Sequence, residues 1–177
     1  MRHRLLLLLA IAAAALVATA AAVAGTLTAT ATVSGTAGVS LSLPSNPSFT
    51  DTLDGSDQTV TYAPVLGVVD ARGSGAGWNL TIGSTVFDDG NGHTLAAGAV
   101  SSVAQACHSG SSCTAATPSG ITYPVSLSST AAKVFNAAAN TGLGKVDVTP
   151  TVSVVIPGNA YAATYTATVT LASATGP

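Results

Sequence analysis

A chain of 177 residues, 47 % hydrophobic and only 7 % charged, has room for one ordinary domain after any targeting segment and is too apolar to belong to the disordered class. Its formal net charge is −2; with Arg2 and Arg4 set aside, Arg72, Lys133 and Lys145 stand against seven aspartates, a net charge of −4, and glutamate is absent. Three scattered cations cannot neutralise a run of phosphates, so nucleic acid is excluded as a partner and anionic membrane surfaces are poor ones.

Residues 1–24 have the parts of a secretory signal: basic Arg2 and Arg4, an apolar run from residue 5 to about residue 17, and small residues at Ala22 and Ala24. Cleavage after Ala24 leaves a single mature domain, residues 25–177. An uncleaved anchor is the alternative, because the apolar stretch approaches the length of a bilayer helix, but alanine dominates its second half and partitions weakly into hydrocarbon. No second apolar span follows, so no membrane span is expected after cleavage. With no sorting signal or membrane tail before Pro177, surface attachment is expected to be non-covalent or through a partner.

Alternation with period two dominates the rest. Leu27, Ala29, Ala31 and Val33 interleave with threonines, and Val39, Leu41 and Leu43 resume the pattern after Ser34-Gly35. These spacings predict strands with one dry face. LPSNPSFTDTLDGSD is loop chemistry; QTVTYAPVLGVVD returns to strand, with Pro64 marking an edge, bulge or break. In DARGSGAGWNL, glycines precede a strand that places Trp78, Leu80 and Ile82 on one face, and Asn79 and Thr81 on the other. Ile121, Tyr123, Val125 and Leu127 form a further alternating run, and residues 131–139 are expected to make the one short helix, stopped by Asn140 and Gly142. The last third is expected to be a hairpin: Val146, Val148, Val152, Val154 and Ile156 on one arm, PGNA as the turn, then Tyr161, Ala163, Tyr165, Ala167, Val169 and Leu171. The expected fold is all-β, an antiparallel β-sandwich with a β-barrel as the alternative, carrying one short helix.

Cys107 and Cys113, in CHSGSSC, fit a local disulfide in an exported chain, closing a loop worth about 2 kcal/mol. A zinc site with His108 as third ligand matches no zinc spacing.

Taken together, DARGSGAGWNLTIGSTVF and the stretch from KVFNAAANTGLG to the last strand resemble the WxL domain, a cell-surface module of Gram-positive bacteria. The similarity covers residues 26–177. Its elements are D-x-R-G…G-W-x-L at Asp70, Arg72, Gly73, Gly77, Trp78 and Leu80; A-x-x-T-G-x-G at Ala137, Thr141, Gly142 and Gly144; and a Pro157-to-Tyr165 element leading into the last strand. The second Trp-x-Leu of the family is Val169-Thr170-Leu171 here, so Leu171 matches and valine replaces tryptophan. The resemblance implies an exported, non-catalytic module without cofactor that binds peptidoglycan, beside partner surface proteins.

Trp78 is then either a stacking platform for a sugar or a core residue, and its in-phase neighbours Leu80 and Ile82 favour core. Asp70 and Arg72 are either polar contacts to a ligand or a turn-stabilising ion pair, of little worth if exposed. FDDGNGHT resembles a calcium loop through Asp88, Asp89 and Asn91 but lacks the full spacing and the bidentate glutamate, so a plain turn is expected. His93 and His108 lie in glycine- and serine-rich loops; there is no GxSxG elbow, RGSGAGW departs from GxGxxG and leads into a strand, and no pair of aspartates is nominated as a glycosidase dyad. Asn79-Leu80-Thr81 matches a glycosylation acceptor, an accidental match in a bacterial chain. The function expected is a secreted wall-binding module, with an adhesive subunit that binds another envelope protein as the alternative.

Overall fold

A computed structural model describes residues 29–116 and 120–177; the signal segment expected at residues 1–24 and the start of the first alternating run lie outside the described residues. Val33–Pro177 forms a compact unit of its own. Its strands are β1 (Val39–Ser42), β2 (Gln58–Tyr62), β3 (Leu66–Asp70), β4 (Trp78–Ser84), β5 (Phe87–Asp88), β6 (Thr94–Leu95), β7 (Ala99–Cys107), β8 (Val125–Ser126), β9 (Ala132–Ala137), β10 (Gly144–Ile156) and β11 (Val169–Thr175).

All pairings are antiparallel. The larger sheet has the order β1-β3-β10-β7-β8, with β2 also on β10, and curls into a half-barrel; β11-β4-β9 make a second sheet, and β5-β6 a small ribbon. The spine of the larger sheet is β10, whose inward positions Val146, Val148, Pro150, Val152, Val154 and Ile156 are all buried. Pro150 has no N–H to donate, and it falls where one edge of β10 passes from β3 to β2, leaving residues 149–151 unpaired on that side. In the second sheet Trp78, Leu80 and Ile82 point inward from β4 at 0 %, 0 % and 2 % exposure. They join Val134, Phe135 and the β10 valines in one core.

Four expectations are corrected. No described residue is helical: residues 132–137 form β9, whose pairing with β4 shifts register between Leu80 and Thr81. That bulge puts Val134 and Phe135 both at 0 % exposure, breaking the alternation that identifies a strand. The C-terminal hairpin does not form either. Both edges of β10 are occupied, by β2 and β3 on one side and β7 on the other, so β11 has nowhere to pair there and joins β4 instead. The PGNA turn is present, with Ala160 N donating to Pro157 O at 2.9 Å. Ala29–Val33 carries no strand, and Val33 is 93 % exposed. Of the run 121–127 only β8 is paired, yet its burial alternates as predicted, and Tyr123 OH donates to Val134 O at 2.6 Å.

Candidate functional site

The turn chemistry of the two longest motifs converges on one indole. Trp78 Nε1 donates to Gly142 O at 3.0 Å, and the ring lies 5.4 Å from that of Phe135, tilted by 32°. Gly142, at φ +70°, lies close against the indole: a Cβ there would stand 2.6 Å from Nε1. Gly77, at φ +72°, has the same constraint from the other side, since a Cβ would stand 2.5 Å from Ala137 O. The two turns are also joined directly, Asn140 N donating to Gly75 O at 2.7 Å. With no exposed surface, Trp78 and Leu80 pack as core in this structure.

Asp70 and Arg72 leave β3 on the same side and form a bidentate pair, Nε to Oδ1 and Nη2 to Oδ2, each 2.8 Å. Nη2 also donates to Gly77 O at 2.6 Å, which ties the ion pair to the turn that delivers Trp78. The pair is not an exposed one: the side chains are 7 % and 0 % accessible for Arg72 and Asp70. The guanidinium hydrogen bonds hold the Asp70 carboxyl below the usual carboxylate range, against the opposing effect of burial. Gly73, at φ +70°, opens this turn in free space. Gly144 closes the other motif beside the Cys107–Cys113 disulfide, bridging to Cys113.

The degenerate motif lies beside the first on the same sheet. Leu171 pairs with Ile82 and Val169 with Ser84, at the opposite end of β4 from Trp78. Both line a groove of about 1180 Å³ where the core opens; Leu66, Ile82, Val152 and Ile156 are on its floor. Phe49 helps wall it, stacked on Tyr62 at 5.8 Å and edge-on to Phe87 at 5.8 Å. Burial raises the Tyr62 phenol.

A smaller hollow of about 240 Å³ continues this groove, sharing Leu95, Ala160, Tyr161 and Tyr165 with it, and is completed by His93, Thr94, Pro157 and Asn159. Here the His93 and Tyr161 rings stack with centroids 3.8 Å apart and planes 18° from parallel. His93 Nδ1 meets Asp89 Oδ2 at 2.7 Å, and its backbone N–H donates to Asp89 Oδ1 at 3.0 Å. The carboxylates of Asp88 and Asp89 also accept backbone N–H bonds from Gly90 and Asn91, so the calcium-like loop is turned inward on itself. Among the described residues, no three His, Cys, Asp or Glu side chains are grouped as a metal site.

His93 brings the Asp89 carboxyl down to about 2, with the hydrogen bonds of Asn91 and the His93 amide adding to the effect. Being depressed, this group contributes stability in full above its unfolded value near 4 and loses it as pH falls through about 2. A carboxyl-detected NMR titration is therefore expected to place the Asp89 midpoint near 2, and to move it up toward the ordinary range in His93→Ala, the backbone hydrogen bonds keeping it below that range.

His108 meets Asp147 Oδ1 at 2.9 Å beside the disulfide, and Tyr165 OH donates to Tyr161 O at 2.9 Å. The His93–Tyr161 stack and the groove are absent from the motif reading because their residues come from distant loops; the exposed Tyr161 next to the PGNA turn was the available signal.

Comparison with protein families matches residues 44–174 to the family described as WxL domain surface cell wall-binding. Comparison with curated proteins and with solved structures gives no match.

Proposed function

Because the chain belongs to the WxL domain family of surface cell-wall-binding domains, we propose that it acts as an exported module that holds non-covalently to the peptidoglycan of a Gram-positive bacterium, without making or breaking bonds. The family match over residues 44–174 carries this reading, and it places the protein at the cell surface. The motif residues support a scaffold role: Asp70, Arg72, Gly77, Trp78 and Gly142 are spent on one another, fixing the sheets that present the outer surface. A non-catalytic role is supported by the family match, whose description is surface cell-wall binding. Among the described residues no helix is long and apolar enough to cross a membrane. The signal at residues 1–24 and the mature domain at 25–177 belong to the same proposal.

A second reading, an adhesive subunit that binds another envelope protein, has one observation in its favour. β11 ends its sheet, paired on one side with β4, and an edge strand is able to accept a strand from a partner. Co-sedimentation separates the two. The protein is expected to pellet with sacculi stripped of all protein and to release no muropeptides; pelleting only with unstripped walls favours the second reading, and pelleting with neither removes both.

A further inference from the structure

We propose that the outward face of Tyr161 is the platform on which a sugar ring of the wall's glycan strand stacks, the hollow beside it receiving the ring's N-acetyl or hydroxyl substituents. This rests on the wall-binding reading above and assigns it a place.

Tyr161 is 64 % exposed, the one aromatic among the large apolar side chains on the described surface. A solvated tyrosine ordinarily samples several rotamers, but this one is clamped from behind. Its inner face lies on His93, and His93 is fixed through two hydrogen bonds to Asp89. Its backbone is held by the Tyr165 hydroxyl. The result is a flat apolar face, pre-oriented and open on one side, which lowers the ordering cost of binding. Aromatic faces of this kind suit the C–H faces of pyranose rings, and tyrosine supplies such area with few rotatable bonds.

The surroundings select the ligand's chemistry. With Nδ1 turned to Asp89, His93 keeps Nε2 for a ligand, and Thr94 and Asn159 in the same hollow supply a hydroxyl and an amide. No lysine or arginine lines the hollow. A polar rim without lysine or arginine around an apolar face matches an N-acetylated hexosamine, whose hydroxyls and amide are uncharged donors and acceptors. A phosphodiester wall polymer would need cations. The larger groove continues from the hollow through Tyr165, giving a linear oligosaccharide a path beyond its first ring.

The full chain should be titrated with N-acetylglucosamine tetramer by NMR and tested on protein-free sacculi, alongside Tyr161→Ala and Tyr161→Phe. Wild type is expected to bind both, with the His93 and Tyr161 ring signals moving on addition of tetramer. Tyr161→Ala is expected to lose about tenfold or more in affinity at unchanged melting temperature, and Tyr161→Phe to stay within about threefold of wild type. Binding of wild type to sacculi with Tyr161→Ala unimpaired, or with the tetramer leaving those ring signals in place, overturns this assignment alone. Failure of wild type to bind sacculi overturns it together with the wall-binding reading.

Discussion

Replacing Trp78 with alanine is expected to cost about 3–5 kcal/mol and to lower the melting temperature by roughly 10–20 °C. The indole is wholly buried, so its removal leaves a cavity whose walls cannot collapse, since they come from both motif turns and from Phe135 on β9. It also strands the Gly142 carbonyl, which accepts the Nε1 proton. Trp78→Phe, which keeps much of the volume and loses that donor, should fall between the two. Differential scanning calorimetry measures all three. Wild-type stability in Trp78→Ala, coupled to lost wall binding, would contradict the packing role and place the indole at a ligand instead.

Arg72→Ala is expected to lose a similar amount, about 3–5 kcal/mol at neutral pH, because it leaves the Asp70 carboxylate buried and uncompensated. The pH dependence has a definite sign. In wild type the Asp70 carboxyl is depressed, so its contribution is complete above the unfolded value near 4 and disappears as pH falls through the lower folded one. In the variant the charge partner is gone and burial raises that same carboxyl, so the folded state loses stability as pH rises. The gap between the two proteins should therefore be widest near neutrality and shrink toward pH 3. Urea melts across that range test it, and a gap independent of pH would place the loss in packing alone. The double variant Asp70→Ala with Arg72→Ala should be less damaged than the single one, as no charge is left inside.

The strand carrying Trp78 was legible because burial on β4 follows parity from Trp78 to Ile82, and because only glycine tolerates the approach to Ala137 O at position 77. β3 and β10 were legible for the same reason. β9 was not: its bulge places Val134, Phe135, Asn136 and Ala137 all in the interior, and four successive buried residues carry no period-two signal. The supposed hairpin fails for a different cause. Alternation on residues 146–156 and 161–171 reports which side chains are apolar, while pairing depends on which edges remain open, and those of β10 are taken by strands from earlier in the chain. The same limit applies to function. Asp70 and Arg72 were recognisable as partners from their i, i+2 spacing, but not their enclosure, which depends on Gly77 folding back over Arg72. The stack of His93 on Tyr161 joins loops that no local pattern relates.

The pairing of β4 has a bearing on how this protein comes into being. Its flanking strands, β9 and β11, both lie later in the sequence, and β11 is the last of all. A chain emerging from its amino end thus leaves both backbone edges of β4 unpaired until nearly everything else has been delivered, and no shorter amino-terminal piece possesses a complete second sheet. Assembly of this kind is slow, since distant segments must meet before any local gain rewards them.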